Sequence, residues 1–137
     1  MICDSDKPLT NEDTGMIKTL NNTQRAEDYF ANKNSFTTGP MEVSKKIENG
    51  DNVLIIDVKT AEDFLKGHVP GAVNLPEEQW PTLQGLCRDV PNILYCYSQT
   101  CHLAAQAAQL FARQGYLVME MDGGFKAWEE NNLEVEK

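Results

Sequence analysis

Residues 93–114 read ILYCYSQTCHLAAQAAQLFARQ, and this stretch predicts a strand, a short loop and a helix in succession. Ile93-Leu94-Tyr95 is an apolar run typical of a buried strand, and it leads directly into Cys96. From about Cys101 to Gln114, apolar residues recur at helical spacing, and Gly115 provides a C-terminal stop. The sequence therefore places a cysteine where a buried strand turns towards an amphipathic helix.

The same alternation of strands and helices continues on both sides of this stretch. Upstream, Val53 to Val58 is an apolar, β-branched run, which indicates a strand covered on both faces. The other predicted elements are a helix from Met41 to Ile47 stopped by Gly50, a helix capped by Thr60 and ending near Gly67, a strand over Ala72-Val73-Asn74-Leu75, a strand from Leu117 to Met121, and a helix from Phe125 to Glu130 after a turn at Gly123-Gly124. This rhythm predicts an α/β fold with a central, mainly parallel sheet and helices on both faces.

The chain divides near residue 40, and residues 1–39 are predicted to form an N-terminal extension with short helical segments. Thr23 is a candidate cap for a short helix through Phe30, and Asn32-Lys33-Asn34 is expected to break the pattern. Thr38-Gly39-Pro40 predicts a turn. The first twenty residues are expected to be loosely ordered.

Composition and charge narrow the classes of partner. The chain carries 21 acidic against 12 basic residues, a net charge of −9, so its field repels a nucleic-acid backbone and an anionic membrane surface. The longest apolar run, over residues 53–56, is far too short to span a bilayer. The first residues show neither a basic region nor an apolar stretch, so no secretory signal is recognised and a cytoplasmic protein is expected.

The four cysteines do not fit a disulfide framework or a metal site. Without a secretory signal, structural disulfides are not expected, and there is no Cys-x-x-Cys pair with the spacing of zinc ligands. We expect no metal and no cofactor. Cys3 and Cys87 are interpreted as chemically inert residues, since a free cysteine often serves as a small apolar side chain.

Cys96 has two interpretations on its local pattern alone. At the carboxyl end of a parallel strand it faces unsatisfied N–H groups and the positive end of the next helix, which stabilise a thiolate and hold bound anions. Its pKa is therefore predicted to fall below that of free cysteine. The alternative is a buried, inert cysteine that packs at a strand end.

Four separate stretches resemble the rhodanese domain family, in the order that the family has them. They are Leu54-Ile55-Ile56-Asp57-Val58, the segment from Phe64 to Pro76 with Gly67-His68-Val69-Pro70-Gly71-Ala72, the loop Tyr95-Cys96-Tyr97-Ser98-Gln99-Thr100-Cys101, and Gly115-Tyr116 followed by Asp122-Gly123-Gly124-Phe125-Lys126-Ala127-Trp128. The resemblance covers residues 40–137, which are therefore expected to form a rhodanese-like domain.

The resemblance implies a sulfurtransferase that works through one cysteine. Cys96 would take a sulfane sulfur from a small donor or persulfide, and would pass it to a thiol or other nucleophilic acceptor, either small or part of a protein. The backbone amides of the loop residues would cradle the terminal sulfur; these are Tyr97, Ser98, Gln99, Thr100 and Cys101.

Departures from the family pattern define the alternatives. The loop has no Arg or Lys, which places thiosulfate as the natural donor in doubt. A phosphatase of this fold would need an arginine where His102 stands, so the clamp for phosphate is missing. The second thiol, Cys101, permits a redox-sensing or non-catalytic module that uses a Cys96/Cys101 pair. Of the remaining polar residues, we expect His68 to bond to backbone and Lys59 to be structural.

Overall fold

The computed structural model describes the backbone of residues 14–137 and the side chains of residues 22–137. The chain divides into two compact units, of which the first ends at Ser35 and the second spans Phe36–Lys137. Cys3 and the polar start of the chain lie outside the described residues. None of the helices in the described part is long and apolar enough to cross a membrane.

One continuous helix, α1 (Thr14–Phe36), replaces the short helical segments predicted for the extension. The break predicted at Asn32-Lys33-Asn34 is wrong, because the helix runs through these residues, and Thr23 lies inside the helix rather than at its cap. The physical reason is that asparagine is only a few tenths of a kcal/mol per residue poorer than alanine in a helix, about 0.7 at most, and does not stop one.

Five strands form one sheet, and all of its pairings are parallel. The strands are β1 (Thr37–Thr38), β2 (Leu54–Asp57), β3 (Val73–Asn74), β4 (Asn92–Tyr95) and β5 (Val118–Met121), in the spatial order β1-β5-β4-β2-β3. The helices of the same unit are α2 (Pro40–Asn49), α3 (Ala61–Lys66), a 3-10 helix (Glu77–Thr82), α4 (Leu103–Arg113) and α5 (Gly124–Glu130). The predicted α/β fold with a central parallel sheet is confirmed.

Strand β1 was not predicted, and it overlaps the predicted turn at Thr38. Thr37 pairs with Glu120 and Thr38 with Met121 of β5, and the next residue, Gly39, caps α2 with Pro40 in its first turn. A strand of two residues is too short to show an alternating pattern, so the turn-forming Gly-Pro pair dominates the sequence signal. The first strand of the sheet therefore precedes residue 40, where the predicted domain begins.

Both faces of the sheet are covered, because successive residues of the central strands point to opposite sides. One layer packs α4 and the 3-10 helix against the sheet; its buried members are Ile56, Val58, Leu75, Trp80, Leu94, Cys96, Ala104, Ala107 and Phe111. The other layer packs α2 and α5; its buried members are Val43, Ile55, Val69, Ile93, Tyr95, Met121 and Trp128. Each fully buried Leu, Ile or Phe contributes roughly 1.5–3 kcal/mol, so these layers fix the strand ends in place.

Candidate functional site

Cys96 follows the last residue of β4, at the carboxyl end of the sheet, where it lines a cavity. Only 2% of the residue is exposed. The cavity has a volume of about 180 Å³. Its walls come from the loop after β4, the start of α4 and the end of β5; the lining residues are Cys96, Ser98, Gln99, Cys101, His102, Ala105, Glu120, Met121, Asp122, Gly123 and Gly124. Cys96 is therefore among the residues that a small molecule in this cavity would contact.

The loop after β4 is held from outside by the first turn of α5. The amide of Phe125 donates to the Cys96 carbonyl at 2.8 Å, and the amide of Lys126 donates to the Tyr97 carbonyl at 2.9 Å. Gly124 makes this approach possible, since a Cβ there would lie 2.7 Å from the Ser98 nitrogen, and its φ is +63°. A glycine is therefore required where α5 meets the loop.

Within the loop, hydrogen bonds between residues close in sequence hold the chain around Cys96. The Cys101 amide donates to the Ser98 carbonyl at 3.1 Å, and the hydroxyls of Ser98 and Thr100 are 3.1 Å apart. The Gln99 side chain accepts a hydrogen bond from the Gly123 amide at 2.6 Å, which ties the loop to the end of β5.

The structure brings together most, but not all, of the side chains predicted for the site. Ser98, Gln99 and Cys101 line the cavity with Cys96, whereas Thr100 lines an adjoining surface cavity. Tyr97 is turned towards α3, where its hydroxyl donates to Asp63 at 2.5 Å. The role predicted for the loop amides in binding substrate stays a prediction.

The pKa of Cys96 is shifted in the direction opposite to the prediction. Burial raises the pKa of this thiol to about 11, and a hydrogen bond with the Cys101 side chain adds to the rise. The backbone amides of Ala104 and Ser98 favour the thiolate but do not outweigh burial. The thiol donates to the Cys101 carbonyl at 3.5 Å, which is the contact of a protonated group. The predicted thiolate-stabilising groups are present, but desolvation is the larger effect.

Two carboxylates in the cavity wall were missed by the sequence analysis. Glu120 lies on β5 beside Leu94 of β4, and Asp122 follows the end of β5. Burial raises the pKa of Glu120, the charge of Asp122 raises it further, and His102 lowers it. A glutamate inside an otherwise apolar strand was a usable signal, because the carboxyl end of a parallel strand is where sites form.

A comparison with protein families identifies the domain, because residues 40–131 match the model of the rhodanese-like domain. The chain belongs to the rhodanese-like domain family. Among solved structures, a Bacillus halodurans protein is 31% identical with a TM-score of 0.76, and the match covers 83% of this chain and 85% of that one. A rhodanese-like domain protein from Staphylococcus aureus, 22% identical with a TM-score of 0.64 over 74% of this chain and 99% of that one, shows the fold alone.

The curated relatives of this rhodanese-like domain differ in size and name. The thiosulfate sulfurtransferase GlpE of Shewanella oneidensis is 36% identical over 83 residues, which are 59% of this chain and 80% of that protein. An HTH-type transcriptional regulator of Mycobacterium tuberculosis is 31% identical over 97 residues, 70% of this chain. The chain spans only 42% of that regulator's length, so the similarity concerns one part of it.

Other conspicuous side chains of the rhodanese-like domain lie outside the cavity. His68 contacts the Phe64 carbonyl through Nδ1 at 2.8 Å, which confirms the expected backbone contact. Lys59 is buried and donates to the Gly67 carbonyl at 2.9 Å. Cys87 does not line the cavity, and its amide donates to the Asn92 side chain. Among the residues with described side chains, no group of three or more His, Cys, Asp or Glu is placed to hold a metal ion.

Proposed function

We propose that this protein is a sulfurtransferase that carries a sulfane sulfur as a persulfide on Cys96. The observation that carries the proposal is the position of Cys96, which lines a small cavity and whose thiolate is favoured by the amides of Ser98 and Ala104. Family membership and the sulfurtransferase names of several relatives support this chemistry.

The reaction has two balanced steps. In the first, the Cys96 sulfur attacks the outer sulfur of a persulfide donor R–S–SH; the donor S–S bond breaks, and R–SH leaves with the proton that Cys96 gives up. In the second, an acceptor thiol attacks the outer sulfur of the Cys96 persulfide, and Cys96 regains a proton. No electrons are gained or lost overall, so neither an oxidant nor a reductant is needed.

The loop would hold the transferred sulfur in the persulfide state. The amides of Ser98 and Ala104 already favour negative charge on the Cys96 sulfur. A persulfide extends the chain by one sulfur into the cavity, where the amides of Tyr97, Gln99, Thr100 and Cys101 are the further candidate donors, as the sequence predicted. Fixed backbone donors aimed at a developing anion stabilise it without reorganisation.

Mass spectrometry after incubation with sulfane-sulfur donors tests the proposal. We expect the peptide containing Cys96 to gain the mass of one sulfur atom, and addition of an acceptor thiol to remove it. Cys96→Ser should lower turnover roughly a thousandfold or more, as loss of a catalytic nucleophile does. Cys87→Ser is the matched control, since Cys87 does not line the cavity and should leave transfer unchanged. Turnover retained in Cys96→Ser, or sulfur found on Cys87 instead, would overturn the proposal.

A second candidate function, a redox-sensing module, is favoured by one specific contact. The Cys96 thiol donates to the Cys101 carbonyl at 3.5 Å, and both residues line the same cavity. With hydrogen peroxide as oxidant, Cys96 would become a sulfenic acid and release water. Cys101 would then attack that sulfur, releasing a second water and forming a Cys96–Cys101 disulfide.

Peptide mapping after mild peroxide treatment tests the redox pair. A disulfide between Cys96 and Cys101, replaced in Cys101→Ser by over-oxidised Cys96, is the result expected of a resolving cysteine. Over-oxidation of Cys96 in the parent protein, with Cys101 still a free thiol, rules the pair out.

A further inference from the structure

The cavity above Cys96 has carboxylates in its wall and no fixed cation. Glu120 and Asp122 line it together with His102. The described residues that line this cavity include neither lysine nor arginine. A donor that reaches Cys96 therefore meets two acidic side chains beside the nucleophile.

The size of the cavity admits small donors without choosing among them. Its volume of about 180 Å³ is slightly larger than the cavity of roughly 150 Å³ that accommodates benzene in another protein. Thiosulfate and short alkyl persulfides are all small enough for such a space. Selection among them must therefore come from charge and hydrogen bonding rather than from steric exclusion.

The two carboxylates repel each other, and His102, which lines the same cavity, offsets their charge only in part. Burial raises the pKa of Glu120 and the charge of Asp122 raises it further, so negative charge is costly here even though His102 lowers that pKa. A ligand with a positive charge would relieve that repulsion. A dianion such as thiosulfate would add to it, since like charges at close range in a partly desolvated site disfavour binding.

We propose that the donor is a small organic persulfide that carries a protonated amine, with Glu120 and Asp122 binding the amine while Cys96 attacks the outer sulfur. This inference rests on the sulfurtransferase function proposed above and names its class of donor. The transfer balances as before: the donor S–S bond breaks, the Cys96–S bond forms, and the amino thiol leaves with the proton from Cys96.

The positive charge of Lys126 is the main observation against this assignment. It lines the adjoining cavity with Ser98, Gln99 and Thr100, where an anionic donor would find one positive charge. However, Glu130 lines that same cavity, and Cys96 does not. The charge next to the reacting sulfur is thus set by Glu120 and Asp122.

Three donors of similar size separate charge from reactivity. Aminoethyl persulfide carries an ammonium, propyl persulfide has a methyl group in its place, and thiosulfate is a dianion. The rate of sulfur addition to Cys96 is measured for each in single turnovers of the full chain, by quenching and mass spectrometry. We expect the amine donor to exceed the propyl donor about tenfold in kcat/KM, as a charge pair in a partly desolvated site predicts, with thiosulfate slowest. Added salt should shrink the difference.

Variants of Glu120 and Asp122 show whether these side chains cause the preference for the amine donor. Glu120→Gln and Asp122→Asn should each lower the advantage of the amine donor about threefold, through KM, and leave the propyl donor unchanged. The rate of transfer from the propyl donor shows, for every variant, whether the protein is folded and whether Cys96 is reactive. Glu129→Gln is the matched control, because Glu129 is exposed on α5 and does not line the cavity.

Each outcome decides a separate question. Faster transfer from thiosulfate than from propyl persulfide, or an amine preference that both variants retain, overturns the donor class while the sulfurtransferase function stands. No sulfur on Cys96 from any donor overturns the proposed function itself, and the donor assignment with it.

Discussion

Two polar groups of residues lie at the carboxyl ends of neighbouring strands, and they differ in how completely their members are partnered. At the end of β2, Asp57 accepts hydrogen bonds from the Tyr95 hydroxyl at 2.5 Å and from the Lys59 amide at 2.8 Å, and the Lys59 ammonium is 3.7 Å away. The Lys59 ammonium also lies 3.8 Å from the centre of the Phe125 ring. We call Asp57, Lys59 and Tyr95 the Asp57 cluster; all three are buried.

The cavity at the ends of β4 and β5 has the opposite character. Cys96 is as buried as the Asp57 cluster, but its thiol donates to an uncharged backbone group, the Cys101 carbonyl, at 3.5 Å. Glu120 and Asp122 line the open space beside it. Burial raises the pKa of Asp57 and of Cys96 alike, and for Asp57 the opposing groups include the Tyr95 hydroxyl and the Lys59 charge, whereas for Cys96 they are backbone amides. Complete partnering indicates a structural role, whereas acidic groups and a thiol that face a cavity are available to a ligand.

The largest effect should come from breaking the Asp57 cluster. Asp57→Ala leaves the Lys59 ammonium buried without its carboxylate, and removal of one partner of a buried pair costs about 3–5 kcal/mol in unfolding free energy. Urea denaturation measures this loss. Because the cluster does not line the cavity, the folded fraction should keep its rate of sulfur uptake.

Glu129→Ala is the control for this substitution, since exposed side chains change stability by only about 0.5 kcal/mol. The comparison between the two groups would fail if Asp57→Ala retained its stability and lost sulfur uptake, because Asp57 would then act in the site.

A smaller, more local effect should follow from moving the loop that carries Cys96. Gly124→Ala places a Cβ 2.7 Å from the Ser98 nitrogen and 2.8 Å from the Cys96 carbonyl oxygen, at a φ of +63°. We expect a loss of roughly 2–3 kcal/mol in stability, and about tenfold to a hundredfold in sulfur uptake because the loop must shift.

Gly50→Ala provides a matched control for Gly124→Ala. Gly50 has a similar φ of +69°, but an added Cβ there meets nothing within 4 Å. It should lose about 1 kcal/mol, the backbone strain alone, and keep full activity. Equal activities in the two variants would show that the contact between α5 and the loop does not position Cys96.

The sequence predicted the parts of this architecture that depend on local pattern. The apolar runs identified β2 and β4, the helical spacing identified α4, and these patterns placed Cys96 between β4 and α4. Strand β1 was missed because two residues carry no periodicity. The ionisation of Cys96 was predicted in the wrong direction, since the strength of desolvation depends on what covers the sulfur in three dimensions.

Local pattern marks Glu120 as an acidic residue in an apolar strand, but it does not show that Glu120 lies near Cys96. Glu120 is near Cys96 because β5 pairs with β4, and the register Leu94↔Glu120 follows from the packing of the whole sheet. Neither residue indicates the other along the chain. Candidate chemistry could thus be assigned to Cys96 from the sequence, but its charged surroundings could not.

The smallest of the predicted effects concerns the reactivity of Cys96 itself. Its pKa of about 11 means that the thiol is protonated at neutral pH, so the reactive thiolate grows as the pH rises towards that value. The rate of alkylation by iodoacetamide should therefore increase about tenfold per pH unit between roughly pH 7 and pH 10.

The hydrogen bond and the charge of Cys101 both raise the pKa of Cys96. Cys101→Ala should then move the inflection to lower pH and speed alkylation about threefold at fixed pH, whereas Cys87→Ala should leave both unchanged. Burial, which remains in Cys101→Ala, is the larger cause, so the inflection should stay above that of a free cysteine. An inflection near neutral pH in the parent protein would show instead that the loop amides outweigh desolvation, and that Cys96 is already a thiolate in the unliganded protein.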